Sequence, residues 1–353
     1  ILSGLVGSEM CIRDSTKTDR PGSNQGSREA EVGLALPLWL PGERARKAAL
    51  ADAEAQALSS RQRAAQLQLA ATVREAWWAA QRAQADQALA QDRLLNAQRL
   101  AADVARRVRA GDLSRADQAQ ADGAVAQAEA AVAEAQGARD SAQAALAAWG
   151  VQAAPTLALA DVAEPEPPVP DATAAATQHP AAADWQDQAE VARRAAELAA
   201  VQTRANPELT LAATRGREQA GDRYQQTFTV GLRIPLGGGD RAQAKQATAR
   251  ADAIDAEART AVEQRRLAAD IVAALARVKA TQAQRDAFAR HAALAQGTRG
   301  FIDKAFRLGE ADGPTRLRVE LEAAQAERQL ARARIDAAAA ISHLRQALGL
   351  LPQ

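Results

Sequence analysis

The chain has 353 residues, of which 96 are alanine, against five Trp, four Phe and one Tyr. So little large apolar area argues against a single compact globular core, and Ala, Gln, Arg, Glu and Leu together favour long, closely packed helices. A net charge of +1 speaks against a nucleic-acid footprint, and a single cysteine, Cys11, excludes an intrachain disulfide framework or a Cys-based zinc site. The longest charge-free run, Ser141 to Ala160, is broken by Gly150 and Pro155 and carries Gln and Ser, so no membrane-spanning helix is expected.

Residues 1–15 (ILSGLVGSEMCIRDS) contain no alanine and hold the only Met and the only Cys. They begin without an initiating Met and lack the basic-then-apolar pattern of a signal peptide. This segment resembles a translated sequencing adapter, is set aside as non-native, and leaves the chain truncated at its N-terminus. Cys11 is given no role.

From residue 16 onward the chain repeats itself. Gly33-Leu34-Ala35-Leu36-Pro37-Leu38 returns as Gly231-Leu232-Arg233-Ile234-Pro235-Leu236, 198 residues later. Val108-Arg109-Ala110-Gly111-Asp112 returns as Phe306-Arg307-Leu308-Gly309-Glu310 at the same offset, and Leu146 returns as Leu344. Three unrelated patterns sharing one offset predict a tandem duplication.

In the first copy, residues 16–42 hold a loop and a strand in which Val32, Leu34, Leu36 and Leu38 alternate with smaller residues. Its partner strand is expected in the lost N-terminus. Residues 43–150 form a helical hairpin, with a first helix from Glu43 to about Ala110, on the order of 100 Å long. The helix after the turn carries a heptad stripe of Val125, Val132 and Leu146 with Ala121, Ala128, Ala135, Ala142 and Trp149 beside it; Arg139 intrudes on it. Residues 151–179, rich in Pro, Ala and acids, read as a linker, and 180–205 as a helix.

The second copy follows the same plan. Residues 206–236 predict a β-hairpin: Asn206-Pro207 opens Leu209 to Thr214, and Tyr224, Phe228, Val230, Leu232 and Ile234 alternate with polar residues. Residues 237–349 predict the second helical hairpin, its long helix running from about Asp240 to Leu308 and its shorter one carrying Ala323, Leu330, Ala337 and Leu344 at sevens. Residues 350–353 form a short tail. The predicted fold is mainly α, with long coiled-coil hairpins in tandem and a small β part. Three strands, or four with the lost partner, are too few to close a barrel. A membrane role then requires several chains to pool their strands, while a soluble coiled coil with water-facing hairpins stays equally open.

The residues that carry a family resemblance lie in order at duplicate spacing. They are Asn206-Pro207-Glu208-Leu209-Thr210-Leu211, the two Gly-Leu-x-x-Pro-Leu strand ends, Arg109 to Asp117 at the first helical turn, and the closing Trp149-Gly150 and Leu348-Gly349. On these the chain resembles the TolC-like outer membrane efflux protein family from about Thr16 to Gln353. The resemblance implies a homotrimer with a twelve-stranded barrel in outer membrane lipid and an α-helical tunnel in the periplasm. It implies a passive exit duct for small molecules or metal ions, partnered by a periplasmic adaptor and an inner-membrane pump, with no cofactor, metal, nucleic acid or catalysis.

Candidate sites follow. Arg109, Gly111, Ser114 and Asp117 match the family's first tip motif, which the resemblance assigns to adaptor contact, with Arg307 and Gly309 as counterparts on the second turn. Gly111 suits a helix end and Ser114 a helix start whatever else they do. Asp312, Arg316, Arg318 and Glu320 are the gate candidates. Here Thr315 replaces the counterpart of Asp117 and Arg316 and Arg318 follow, so the family's anionic ring is altered. His179, His291 and His343 share no metal-ligand spacing. Gly237-Gly238-Gly239 lacks the remaining residues of a phosphate loop. A periplasmic adaptor or a soluble coiled-coil scaffold remains the alternative; a 198-residue duplication disfavours the adaptor.

Overall fold

The computed structural model describes residues 12–18, 27–151, 163–168, 171–219, 221–236 and 239–352. Cys11, much of the linker and Gly237-Gly238 lie outside them. In chain order the elements are β1 (Ile12–Thr18), β2 (Ser27–Pro37), α1 (Glu43–Ala110), α2 (Arg115–Ala147), α3 (Ala172–Gln178), α4 (Pro180–Val201), β3 (Glu208–Arg217), β4 (Gln225–Arg233), α5 (Gly239–Leu308) and α6 (Gly313–Ala347). The chain divides into two units, residues 1–60 with 184–261, and 61–183 with 262–353.

The first unit holds one antiparallel sheet in the order β1-β2-β3-β4. The partner of β2 is not missing, as expected from sequence, but is β1, paired from Ile12↔Gly33 to Thr18↔Ser27. Four residues of the segment set aside as non-native, 12–15, therefore belong to the sheet. Backbone pairing needs only extended donors and acceptors, so an atypical composition did not prevent it.

Register aligns the apolar positions. Val32, Ala213 and Phe228 form one cross-strand row, Leu34, Leu211 and Val230 a second, and Leu36, Leu209 and Leu232 a third. Period-two alternation puts all three rows on one face. That face is uncovered: Phe228 is 79% exposed and Val230 72%. On the other face Thr210 donates its hydroxyl to the Gly231 carbonyl at 3.2 Å, and a Cβ at Gly231 would stand 2.6 Å from Thr210 Oγ1.

The elbow from β2 into α1 is fastened by one carboxylate. Glu43, 2% exposed, accepts from the Leu40 amide at 3.0 Å, from Gln202 at 2.7 Å and from Asn206 at 2.9 Å. The Leu38 amide donates to the Pro207 carbonyl at 2.6 Å. Asn206-Pro207 thus links the α4–β3 elbow to the β2–α1 elbow. Arg46 and Glu197 add an ion pair beside it.

The second unit is helical. Trp78 packs with Ile335, Ala338 and Ala339, and Val278 with Ala340 and Leu344. The heptad stripe of α6 is buried at Ala323, Ala326, Ala333, Ala337, Ala340 and Leu344. Alanine there lets neighbouring backbones approach closely. On α2 only Ala121, Ala128 and Leu146 are fully buried. Trp149, expected on that stripe, is 47% exposed, because α2 ends at Ala147 and Gly150 turns the chain at φ 76°. The intruding Arg139 reaches across to Gln87 on α1 at 3.0 Å and pairs with Asp140. The linker is partly helical: Asp171 caps α3 by accepting from the Ala174 amide at 3.1 Å.

Candidate functional site

The two helical turns of the second unit share one construction. After α1, the amides of Gly111 and Asp112 donate to the carbonyls of Val108 and Arg107; after α5, those of Gly309 and Glu310 donate to Phe306 and Ala305. These paired bonds are Schellman closures, and they require the left-handed glycines seen at φ 90° and 80°. Each next helix then starts from a capping side chain. Ser114 accepts from the Asp117 amide while Asp117 accepts from the Ser114 amide, a reciprocal capping box. Asp312 accepts from the Thr315 amide at 2.8 Å. The Ser114 hydroxyl and amide hold the Asp117 carboxyl below the usual range, and Thr315 does the same for Asp312.

Behind the turns, a charged cluster joins three helices. Arg316 on α6 donates to Asp103 on α1 at 3.3 Å and pairs with Asp303 on α5 at 2.8 Å. Asp103 also pairs with Arg106 and Arg107, and Asp303 with Arg307. The guanidinium carbons of Arg107 and Arg316 lie 4.2 and 4.6 Å from the ring centre of Phe306, which is 1% exposed. Arg107 further donates to the Phe306 carbonyl at 3.3 Å. Leu100, Val104 and Ala121 form the apolar floor, with Leu113 and Leu317 against it.

The candidate residues separate into distinct roles. Gly111, Ser114, Asp117, Gly309 and Asp312 shape the turns. Arg109 is exposed, its Nε on the Ala105 carbonyl of its own helix. Arg318 pairs along α6 with Glu322, whereas Glu320 reaches Arg299 on α5 at 3.2 Å. Arg316 is the hub. Asp103, Asp303 and Phe306 were not singled out from sequence, since they come together only when helices about 200 residues apart in the chain pack.

No group of three His, Cys, Asp or Glu fit to hold a metal occurs among the described residues. His179 and His343 are drawn below the usual imidazole range chiefly by burial. A groove of about 1160 Å³ lies among α1, α2, α5 and α6, where His291 and Arg299 share its wall with acidic and alanine residues. No described helix is long and apolar enough to cross a membrane.

Comparison with known proteins fits this geometry. A sequence model of the outer membrane efflux protein family matches residues 8–150, and no curated protein sequence matches the chain. Among solved structures it is similar to CusC, described in terms of transmembrane channel formation, at 18% identity and TM-score 0.78, over 96% of this chain and 82% of that one. It is similar to the outer membrane protein VceC of Vibrio cholerae at 18% identity and TM-score 0.74, over 97% and 86%. The open state of the Neisseria gonorrhoeae MtrE outer membrane channel gives 19% identity and TM-score 0.77, over 96% and 80%. By sequence over residues 8–150 the chain matches the outer membrane efflux protein family, and over nearly its whole length it has the fold of these solved outer membrane proteins.

Proposed function

We propose that the chain is one protomer of a trimeric outer membrane duct, working passively in a tripartite efflux assembly. The observation that carries this reading is the uncovered apolar face of the sheet. Three rows of apolar side chains, on strands whose other face is small and polar, suit lipid on one side and a wet lumen on the other. A sheet of four strands leaves two open edges, which lipid does not tolerate, so three chains closing one barrel of twelve strands satisfies every edge.

The remaining parts follow in the same reading. The tandem duplication is supported by the two turns, built alike at a spacing of 198 residues. The helical hairpins continue the duct through the periplasm. Arg109, Gly111, Ser114, Asp117, Arg307 and Gly309 face a periplasmic adaptor at the tips, and an inner-membrane pump delivers small molecules or metal ions. Asp312, Arg316, Arg318 and Glu320 belong to the closing end of the tunnel, Arg316 acting through its bridge between α1 and α5. Expression with a signal peptide, extraction in mild detergent and light scattering test the assembly. A trimer that conducts ions in planar bilayers is expected; a water-soluble monomer overturns the reading.

A further inference from the structure

Four segments meet at Gln346 near the end of α6, all within the second unit. The Gln346 amide donates to the Leu67 carbonyl at 2.9 Å, and its oxygen accepts from Arg74 at 2.5 Å, both on α1. Arg74 also donates to the Leu350 carbonyl at 3.0 Å and to Glu164 at 3.2 Å. Arg345 donates to the same Glu164 oxygen at 3.1 Å and to the Pro165 carbonyl at 3.3 Å. The Ser342 hydroxyl completes the surroundings of Glu164. The side chains of Arg74, Glu164 and Arg345 are only 4, 10 and 6% exposed. One carboxylate shared by two guanidinium groups thus straps residues 163–168 onto α1 and α6.

The fourth segment is the α3–α4 junction, where His179 sits 5% exposed. Its Nδ1 accepts from the Ala181 amide at 3.1 Å, capping α4, and its ring also hydrogen-bonds the Gln346 backbone. With Nδ1 an acceptor, the ring proton resides on Nε2, which donates to the Gln346 carbonyl. The C-terminal turn closes over this ring: Gly349 has φ 78°, and a Cβ there would stand 2.5 Å from Pro180 Cδ and 2.9 Å from His179 Cδ2.

Only the neutral ring suits this place. An imidazolium carries a proton on both nitrogens, so Nδ1 would confront the Ala181 amide at the positive end of α4. The charged groups packed around the knot are Arg74 on α1, Arg345 on α6 and Glu164 on the strap. A little further along α6, His343 faces Arg277 on α5 and Glu75, Arg82 and Arg74 on α1. Burial pushes the His179 ring down, against a smaller upward effect of its bond to Gln346. The knot is therefore at full strength above the free-imidazole value of about 6.5 and weakens as pH falls below it.

We propose that His179 is a proton-operated catch: protonation at Nδ1 turns its bond to the Ala181 amide into a donor–donor clash, releasing strap 163–168 and the C-terminal turn while both hairpin tips stay folded. The ring, leaving the start of α4, carries with it the Gln346 backbone, to which Nε2 remains bonded. Release spreads because Arg345 and Gln346 are neighbours in one helical turn, and they hold Glu164 and Arg74. The device goes beyond the duct reading and does not depend on it.

The test places a spin label at exposed Pro168 (Pro168→Cys with Cys11→Ser) in the detergent-extracted full chain, and a second label at exposed Ala116 on the tip. As pH is lowered from ~7.5, the mobile fraction at residue 168 should rise about two-fold, the rise lying below the ordinary imidazole range because burial holds the ring neutral, with no change at residue 116. His179→Gln should remove the rise. Should that variant fail to fold, His179→Asn keeps a capping oxygen without titrating and serves in its place. An absent rise in the parent, an equal rise in the variant, or simultaneous loosening of the tip label would each overturn the proposal.

Discussion

Arg316 stacks on Phe306 with its guanidinium carbon 4.6 Å from the ring centre, while its nitrogens engage aspartates on two other helices. A planar guanidinium serves both tasks at once, which an ammonium on a flexible stem does not. Together with Arg107 on Phe306, Arg316 holds the two hairpin tips to one another in a single chain, so it is the place to test whether the tips govern opening.

Arg316→Ala should raise single-channel conductance in planar bilayers while the trimer remains intact. Asp117→Ala should leave conductance near the parent value, because its carboxylate is engaged in the Ser114 capping box rather than in a bridge. Each ion pair of Arg316, whose side chain is 20% exposed, contributes on the order of 1 kcal/mol, and a double-mutant cycle with Asp303→Ala should return a favourable coupling of that order. Conductance unchanged in Arg316→Ala would show that helix packing alone keeps the tunnel closed.

Val230→Arg and Leu232→Arg should impair membrane assembly far more than Thr229→Arg. The first two place charge on the uncovered apolar rows, where lipid opposes it by about 2–4 kcal/mol near mid-bilayer. Residue 229 is on the opposite face. Quantifying the heat-resistant trimer on gels separates the cases, and equal tolerance at all three positions contradicts a lipid-facing sheet.

Gly111→Ala and Gly309→Ala should each destabilise the helical unit by about 1–2 kcal/mol, since both glycines hold left-handed backbone that a Cβ resists. Neither position has an atom within 4 Å of a new Cβ, so the cost is conformational and not steric crowding. Denaturant midpoints followed by circular dichroism should therefore shift alike for the two variants.

Acid should weaken both caps. The Asp117 and Asp312 carboxyls lie below their ordinary value because of their hydrogen bonds to Ser114 and Thr315. Their stabilisation is complete above the unfolded carboxyl value of about 3.9 and is lost as pH falls through the folded one. Amide exchange at residues 115–118 should accelerate over that range beyond the intrinsic rate, and Asp117→Asn should abolish the pH dependence at the first tip.

How far these features could be read in advance depended on their range along the chain. Alternation in Phe228, Val230 and Leu232, the heptads of α6 and the cap at Ser114 involve neighbours within a few residues, so sequence displays them directly; Asp312, read as a gate candidate, is the cap of α6. The bridge from Arg316 to Asp103 spans 213 residues and leaves no local periodic trace. The same holds for Glu164, read only as part of an acidic linker, although two buried arginines converge on it. Strand β1 was missed for another reason: its residues look unlike the rest of the chain, and backbone pairing with β2 has no composition signature. Trp149 failed because a seven-residue period was extended past the point where Gly150 ends the helical geometry.

The alanine seam has a consequence for alignment of the helices. Along Ala326, Ala333 and Ala340, which repeat every seven residues, sliding α6 by one heptad would set alanine where alanine had been; only the neighbouring row, where Leu330 and Leu344 alternate with Ala323 and Ala337, would change. Such an interface supplies closeness but little positional information, much as a ruler without numerals measures only spacing. The numerals are the irregular features: Trp78 seated among Ile335, Ala338 and Ala339, Phe306 clasped between guanidinium groups, and turns of fixed length at Gly111 and Gly309. An insertion of seven residues in α6 between the Gly309 turn and Ile335 would keep the all-alanine row in phase and still carry Ile335, Ala338 and Ala339 away from Trp78.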